Sequence, residues 1–272
     1  MDRQEPNERR SPSVQDAVRN QFDRVAANYA ASAVHSQGDE LAVMVKLADL
    51  TGTERVLDAG CGPGHTALTF ALHAKSVVGV DLSPAMLAQG RQLAIQRDLA
   101  NVDFREGDVQ ALPFDDGTFD LVVSRYSAHH WPEPVRALSE FRRVLCQDGP
   151  KPGRLLLADV VTFADPATDT HFQAIELLRD PSHVRDHRPD EWLAMLGVAG
   201  FDAQVALTWD LHIDFASWVE RIRTPDASTA QIRVLLAGAP SQVQENLRVE
   251  EDGSFTMRCA LFSARPATAS SD

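Results

Sequence analysis

The chain has 272 residues, 44% of them apolar, enough to bury a sizeable core in one large domain or two small ones. Its 39 acidic and 26 basic residues leave a formal charge of −13, a balance that repels phosphate backbones and anionic membrane surfaces and disfavours nucleic-acid partners. Cys61, Cys146 and Cys259 are far apart and form no CxxC pair, so neither a disulfide framework nor a structural zinc site is expected, and a reducing, cytoplasmic setting is.

Residues 1–13 are polar and carry no hydrophobic signal segment; a disordered tail is expected there. No run of eighteen apolar residues follows, so no membrane insertion is expected. From Val14 to about Leu50, Val18, Phe22 and Val25 and then Leu41, Val45 and Leu47 recur at helical spacing, which predicts two helices. The texture then changes to short β-rich runs: "RVLDA" (55–59), "SVVGVD" (76–81), "VDFRE" (102–106), "FDLVVSR" (119–125) and "GRLLLADVV" (153–161). The stretches between them are long enough for crossover helices, which predicts repeated βαβ units and a mostly parallel sheet. Ser83 followed by Pro84 marks a helix start directly after the second run. Beyond Val161 we expect a polar stretch (164–170), a helix near Phe172–Arg179, the loop "DPSHVRDHRP" and a helix from Asp190 to about Ala199. "FDAQVALTWDLHIDF" and "SFTMRCALFSARP" predict two more strands, with two or three helices between them. No internal repeat or linker divides the chain, so residues 14–272 are expected to form one domain.

Gly60, Gly62 and Gly64 stand at alternate positions between the first run and a helical segment, where a ligand can press on bare backbone. One reading is a nicotinamide or flavin dinucleotide with its pyrophosphate on the helix N-terminus, but that fingerprint is GxGxxG and His65 stands where the third glycine belongs. Asp58 is the stronger objection, because a carboxylate repels a pyrophosphate and suits a ligand carrying an ammonium or sulfonium. S-adenosylmethionine is such a ligand. Asp81 ends the second run, where a carboxylate can accept from both ribose hydroxyls. Asp108 and the Val109 N–H follow the third run, where they can meet the adenine amino group and a ring nitrogen.

The blocks "FDRVAANYAAS", "VLDAGCGPGH", "VVGVDLSPAML", "VDFREGDVQALPFDDGTFDLVVSRYSAHHW" and "FRRVL" resemble, in this order, the class I S-adenosylmethionine-dependent methyltransferases. Within them the likeness is to the group that includes the ubiquinone and menaquinone biosynthesis enzymes. It runs from Phe22 to about Leu145, is weaker through "LLRDPSHVRDHRPDEW" and is not evident after about residue 205. The resemblance implies an α/β, doubly wound, Rossmann-like fold of seven strands in the order 3-2-1-4-5-7-6 with the last antiparallel. It also implies N-terminal lid helices over residues 14–50 and a substrate-covering segment over 163–190. By the same resemblance Asp58, Gly60, Cys61 through its backbone, Gly62 and Gly64 hold the methionine end, Asp81 the ribose, and Asp108 with Val109 the adenine. Leu82 and Met86 join the cofactor site, and Tyr29 closes over it.

The acceptor is expected to be a small molecule, since "SRYSAHHW" stands where enzymes acting on base amines or glutamine amides carry [DN]PP[YF]. Arg125 either hydrogen-bonds the methionine carboxylate or pairs with a neighbouring aspartate. Of His129 and His130, one faces the pocket, or His130 packs on Trp131. His183 and Arg185 either grip an anionic or enolic acceptor or solvate an exposed loop. A nucleophile that must lose a proton needs a base, His130 or His183, whereas an amine delivered neutral needs none. The histidines lack metal-ligand spacing, so no metal is expected. A monomer and a homodimer both remain open. Two other classes remain: a protein that binds S-adenosylmethionine without transferring methyl, and an NAD or FAD oxidoreductase.

Overall fold

A computed structural model describes residues 13–32, 38–146 and 152–267. Residues 1–12 of the expected tail lie outside the described residues, and Ser13 caps the first helix, its hydroxyl accepting from the Asp16 N–H at 3.1 Å. Helices α1 (Val14–Ala30) and α2 (Asp39–Ala48) precede the sheet, as their apolar spacing predicts. The β-rich runs become β1 (Arg55–Ala59), β2 (Ser76–Asp81), β3 (Val102–Glu106), β4 (Leu121–Arg125) and β5 (Arg154–Val161). Helices α3 (His65–Ala71), α4 (Pro84–Gln96) and α5 (Pro134–Val144) lie between them, and a 3-10 turn (Ala128–His130) follows β4. Helices α6 (Pro166–Arg179) and α7 (Pro189–Val198) then lead to β6 (Phe201–Ile213). Three helices, α8 (Phe215–Ile222), α9 (Asp226–Ala237) and α10 (Ser241–Leu247), separate β6 from β7 (Phe255–Pro266). Helix α6 starts inside the expected polar stretch because Asp165 caps it, accepting from the Thr168 N–H at 2.9 Å ahead of Pro166 at the first position.

The sheet has the order β3-β2-β1-β4-β5-β7-β6, with β1 to β5 parallel and β7 antiparallel to both of its neighbours. Its central strands are covered on both faces, which is why they read as nearly unbroken apolar runs. Leu57, Val122, Leu155 and Leu157 pack toward α5 and α7 with Phe141 and Trp192. Val56, Leu121, Val123 and Leu156 pack toward α2 and α3 with Met44 and Phe70. Strand β7 runs past the carboxyl end of β5: Arg258 pairs with Val161, but Phe255 and Met257 pair only with Ile213 and Leu211 of β6. This overhang and α8 to α10 share a third core containing Phe172, Phe215, Trp218 and Phe255, which stands over the sheet's carboxyl edge and walls one side of it.

Candidate functional site

The three glycines have two different causes. A Cβ on Gly60 would lie 1.9 Å from the Ser127 Oγ, and one on Gly64 2.5 Å from the Phe104 ring, so both are demanded by packing. A Cβ on Gly62, whose φ is +52°, would meet nothing within 4 Å and points into the cleft. Gly64→Ala is therefore expected to destabilise the fold, by about 2 kcal/mol from strain and overpacking, without touching the cleft wall. Thermal melting checks this, and an unchanged midpoint would show that Phe104 yields freely.

The loop keeps its amide hydrogens for itself. Gly60 and Cys61 N–H groups donate to the Val80 carbonyl at 2.8 and 2.9 Å, Gly64 N–H to the Cys61 carbonyl at 2.9 Å, and Gly62 N–H to Asp81 Oδ2 at 2.8 Å. Asp58 lies beneath the loop, 1% exposed, its Oδ2 accepting from the Ala67 N–H at 2.8 Å in the first turn of α3. It thus meets the amide end of α3 from below the loop, and burial pushes its carboxyl up to about 7. Asp58 is not among the cleft-lining residues and lies below the loop that carries Gly62. Gly64 is likewise a packing residue rather than a wall of the cleft.

Above the loop is a cavity open to solvent. Gly60, Cys61, Gly62, Asp81, Leu82 and Met86 line one end of it, and Asp108 and Val109 the other. Asp81 is fixed by two amides, Gly62 N–H on Oδ2 and Ser83 N–H on Oδ1 at 2.9 Å, and burial raises its carboxyl above the usual range. Asp108 Oδ1 accepts from the Gln110 N–H at 2.8 Å. Helix α1 lies across the opening with Gln15, Val18, Phe22 and Tyr29. It is tied down where Asp23 accepts from the Ser83 hydroxyl at 2.6 Å and Arg19 Nε donates to the Leu82 carbonyl at 3.1 Å.

Arg125 also lines this cavity, and its charge is met by a residue that spacing does not reveal: Glu40 of α2, with Arg125 Nε donating at 3.0 Å. Both side chains are buried, and the Tyr126 hydroxyl donates to the same Glu40 oxygen at 3.1 Å. Tyr126 sits at φ +54°, an uncommon conformation for a non-glycine residue, and swings the chain from β4 into the 3-10 turn.

That turn is organised by Asp159, fully buried at the end of β5. Its Oδ2 accepts from the Ala128 N–H at 2.6 Å and its Oδ1 from His129 Nδ1 at 2.7 Å. The carboxylate outweighs burial and pushes His129 up to about 9. The next residue goes the other way: burial and the His129 charge push His130 down to about 4. Its Nδ1 faces the Ser182 carbonyl at 3.1 Å, which only accepts, so Nδ1 carries the proton and Nε2 the lone pair. A second cavity opens here, sharing Phe22, Tyr29, Tyr126 and His130 with the first. His129, Glu176, Arg179, Asp186 and Arg221 form its polar side, and Val160, Leu211, Ile213, Trp218 and Met257 its apolar side.

A family model described as a methyltransferase domain matches residues 57–150. The uncharacterized methyltransferase YcgJ of Bacillus subtilis is 36% identical over 246 residues, covering 89% of this chain and 96% of that protein. Its crystal structure matches with a TM-score of 0.79 at 34% identity, over 84% of this chain and 98% of that one. The chain belongs to the class I S-adenosylmethionine-dependent methyltransferases. The uncharacterized protein YafE of Escherichia coli is 38% identical over 210 residues, 77% of this methyltransferase and 99% of the relative. A demethylmenaquinone methyltransferase of Thermus thermophilus is 33% identical over 181 residues, 60% of this chain and 81% of that one. Coverage of 89% also carries the likeness past residue 205, where the motifs show none.

Two expected acceptor contacts of the methyltransferase lie elsewhere. Val184 and Arg185 N–H groups donate to the His129 carbonyl at 2.9 and 3.1 Å, which docks their loop behind the 3-10 turn rather than in front of it. His183 is buried there, 3.2 Å from Gln173 Oε1 and stacked on His129 with ring centres 5.8 Å apart; burial and the His129 charge hold it far below the usual imidazole range. Arg185 points outward to Asp169 at 3.0 Å. Neither lines either cavity: His183 stacks on His129, and Arg185 pairs with Asp169 as on an exposed loop. The residues that sequence reasoning missed are His129 as a wall residue, Asp159, Glu40, Glu176, Arg179 and Arg221. Among the described residues no cluster suits a metal ion, and no helix is long and apolar enough to cross a membrane.

Proposed function

We propose that the first cavity binds S-adenosylmethionine and that the methyl group passes to a small-molecule acceptor in the second. The observation that carries this is the junction of the two cavities at Phe22, Tyr29, Tyr126 and His130, behind the bare face of Gly62. The donor set fits the cofactor: an open Cβ position at Gly62, two carboxylates set apart at Asp81 and Asp108, and loop amides spent internally rather than offered to a phosphate. Asp81 would hold the ribose diol, Asp108 and Val109 the adenine edge, and Leu82 and Met86 the apolar faces. Arg125 would take the methionine carboxylate, while Gly60 and Cys61 shape the floor and Tyr29 the lid.

Bound S-adenosylmethionine supplies a methyl group already activated by its sulfonium. The protein's task is then alignment and exclusion of water, which α1 and the overhang of β6 and β7 perform. His130 Nε2 accepts the acceptor's proton at the junction, and the resulting charge is met by Asp180 Oδ2, 3.8 Å away and without a hydrogen-bond partner among the described residues. His129 remains cationic and stabilises the negative charge left on the nucleophile. Buried thiols at Cys61 and Cys259 support a reducing cytoplasm as the setting.

The test is calorimetry with S-adenosylhomocysteine followed by transfer of labelled methyl to a panel of small metabolites. Binding without transfer to any of them would reduce the protein to a cofactor-binding role. Asp81→Ala is expected to weaken S-adenosylhomocysteine by roughly tenfold to several-hundredfold, because charge-assisted hydrogen bonds contribute about 1.5–3 kcal/mol each. Unchanged affinity in a folded variant would remove Asp81 from the site.

A further inference from the structure

The second cavity has a charged end that methyl transfer alone does not require. Arg179 of α6 is buried, its Nε donating to the Trp218 carbonyl at 3.2 Å and its guanidinium lying 4.9 Å from the centre of the Trp218 ring. Arg221 of α8 lies with its guanidinium 6.0 Å from the centre of the Tyr29 ring. Tyr29 lies between them, close enough for its side chain to favour the charged form of both guanidiniums. The end of α8 is held in place by α1, where Asn28 Nδ2 donates to the Arg221 carbonyl at 3.0 Å and Gln21 Nε2 to the Ile222 carbonyl at 2.9 Å. Arg221 Nε has no hydrogen-bond partner among the described residues.

The two arginines press on one another in a poorly solvated space, and Arg221 is lowered by burial and then by Arg179. Two carboxyl groups share the cavity. Glu176 Oε2 is 3.8 Å from Arg179 Nη1, and Asp186 lies on the His129 side. Burial pushes the Glu176 carboxyl up, and the Asp186 carboxyl well up. A buried carboxylate can become neutral by taking a proton, but a guanidinium cannot shed its charge. The cavity therefore holds its two guanidinium charges permanently and its carboxylate charges conditionally, and a buried charge without a partner is costly.

Building on the methyl-transfer reading above, we propose that the acceptor is a small molecule with an apolar body and a carboxylate. Arg179, Arg221 and Tyr29 grip the carboxylate, and the body lies against Val160, Ile213 and Met257. The planar fork of a guanidinium matches a carboxylate in two parallel hydrogen bonds, so the group also fixes the orientation of the atom to be methylated.

Calorimetry on the protein saturated with S-adenosylhomocysteine tests this with benzoate and phenylacetate against benzamide, phenylacetamide, benzylamine and phenyl phosphate. The carboxylates are expected to bind about tenfold or more tighter than the amides. Arg221→Gln should erase that preference while keeping S-adenosylhomocysteine affinity within about threefold, and Arg221→Lys should restore part of it. Arg221 is chosen because Arg179 also holds the Trp218 backbone and its loss threatens folding. Equal or better binding of amides or amine, a preference for the phosphate, no binding by any probe, or a carboxylate preference that survives Arg221→Gln would overturn the proposal. Failure of the wild-type protein to bind S-adenosylhomocysteine would instead sink the cofactor reading, and the same panel on the unliganded protein would still decide the carboxylate preference.

Discussion

Gly62→Val is expected to abolish binding of S-adenosylhomocysteine, whereas Gly52→Val is expected to leave it unchanged. The two positions share a left-handed backbone and an open Cβ direction but differ in location. Gly52 has φ +86° and Gly62 φ +52°, and a Cβ at either meets nothing within 4 Å. Valine in the left-handed region costs roughly 1–2 kcal/mol at each, so both variants should melt a few degrees low and both should remain folded. Only at Gly62 do the added methyl groups enter the cavity wall, whereas Gly52 precedes β1 at the opposite edge of the sheet. Calorimetry beside thermal melting separates strain from occupancy. Similar affinities in the two variants would place the cofactor cradle elsewhere.

The part of this molecule that the chain spells out locally is the cavity wall made of loop backbone and of single carboxylates at strand ends. Ser83 and Pro84 start α4 as their types dictate, and Asp81 and Asp108 lie at the ends of β2 and β3, where runs of alternating and apolar residues stop. The other buried charges are different because their partners come from elements far apart in the chain. Glu40 meets Arg125 across 85 residues, and Arg179 and Arg221 converge from separate helices with no shared spacing. One signal was present: Asp159 is a lone acid inside "LLLADVV", a strand otherwise apolar and buried on both faces, and such a residue is retained only with partners. Asp58 is the opposite case: its type and its place before the glycines are legible in the sequence, but its bond from the Ala67 N–H of α3 is not.

The paired histidines predict both the size of a mutational loss and the shape of a pH profile. Asp159 keeps His129 cationic up to about 9, and that charge, with burial, keeps His130 neutral down to about 4. The form competent for proton removal has His129 protonated and His130 unprotonated, so kcat/KM is expected to be level between these limits. As pH falls through the lower limit, His130 gains a proton and Nε2 can no longer accept one. As pH rises through the upper limit, His129 loses the charge that stabilises the deprotonated acceptor. The two limbs belong to the coupled pair rather than to isolated groups. With an acceptor in hand, His130→Ala is expected to lower kcat by roughly 10²–10⁴ and to remove the lower limb. Asp159→Asn should move the upper limb downward, because an amide keeps the hydrogen bond from the Ala128 N–H but gives His129 no opposing charge. A lower limb that persists in His130→Ala, or a kcat within a few-fold of the parent, would assign proton removal to another group or show that the nucleophile arrives already deprotonated.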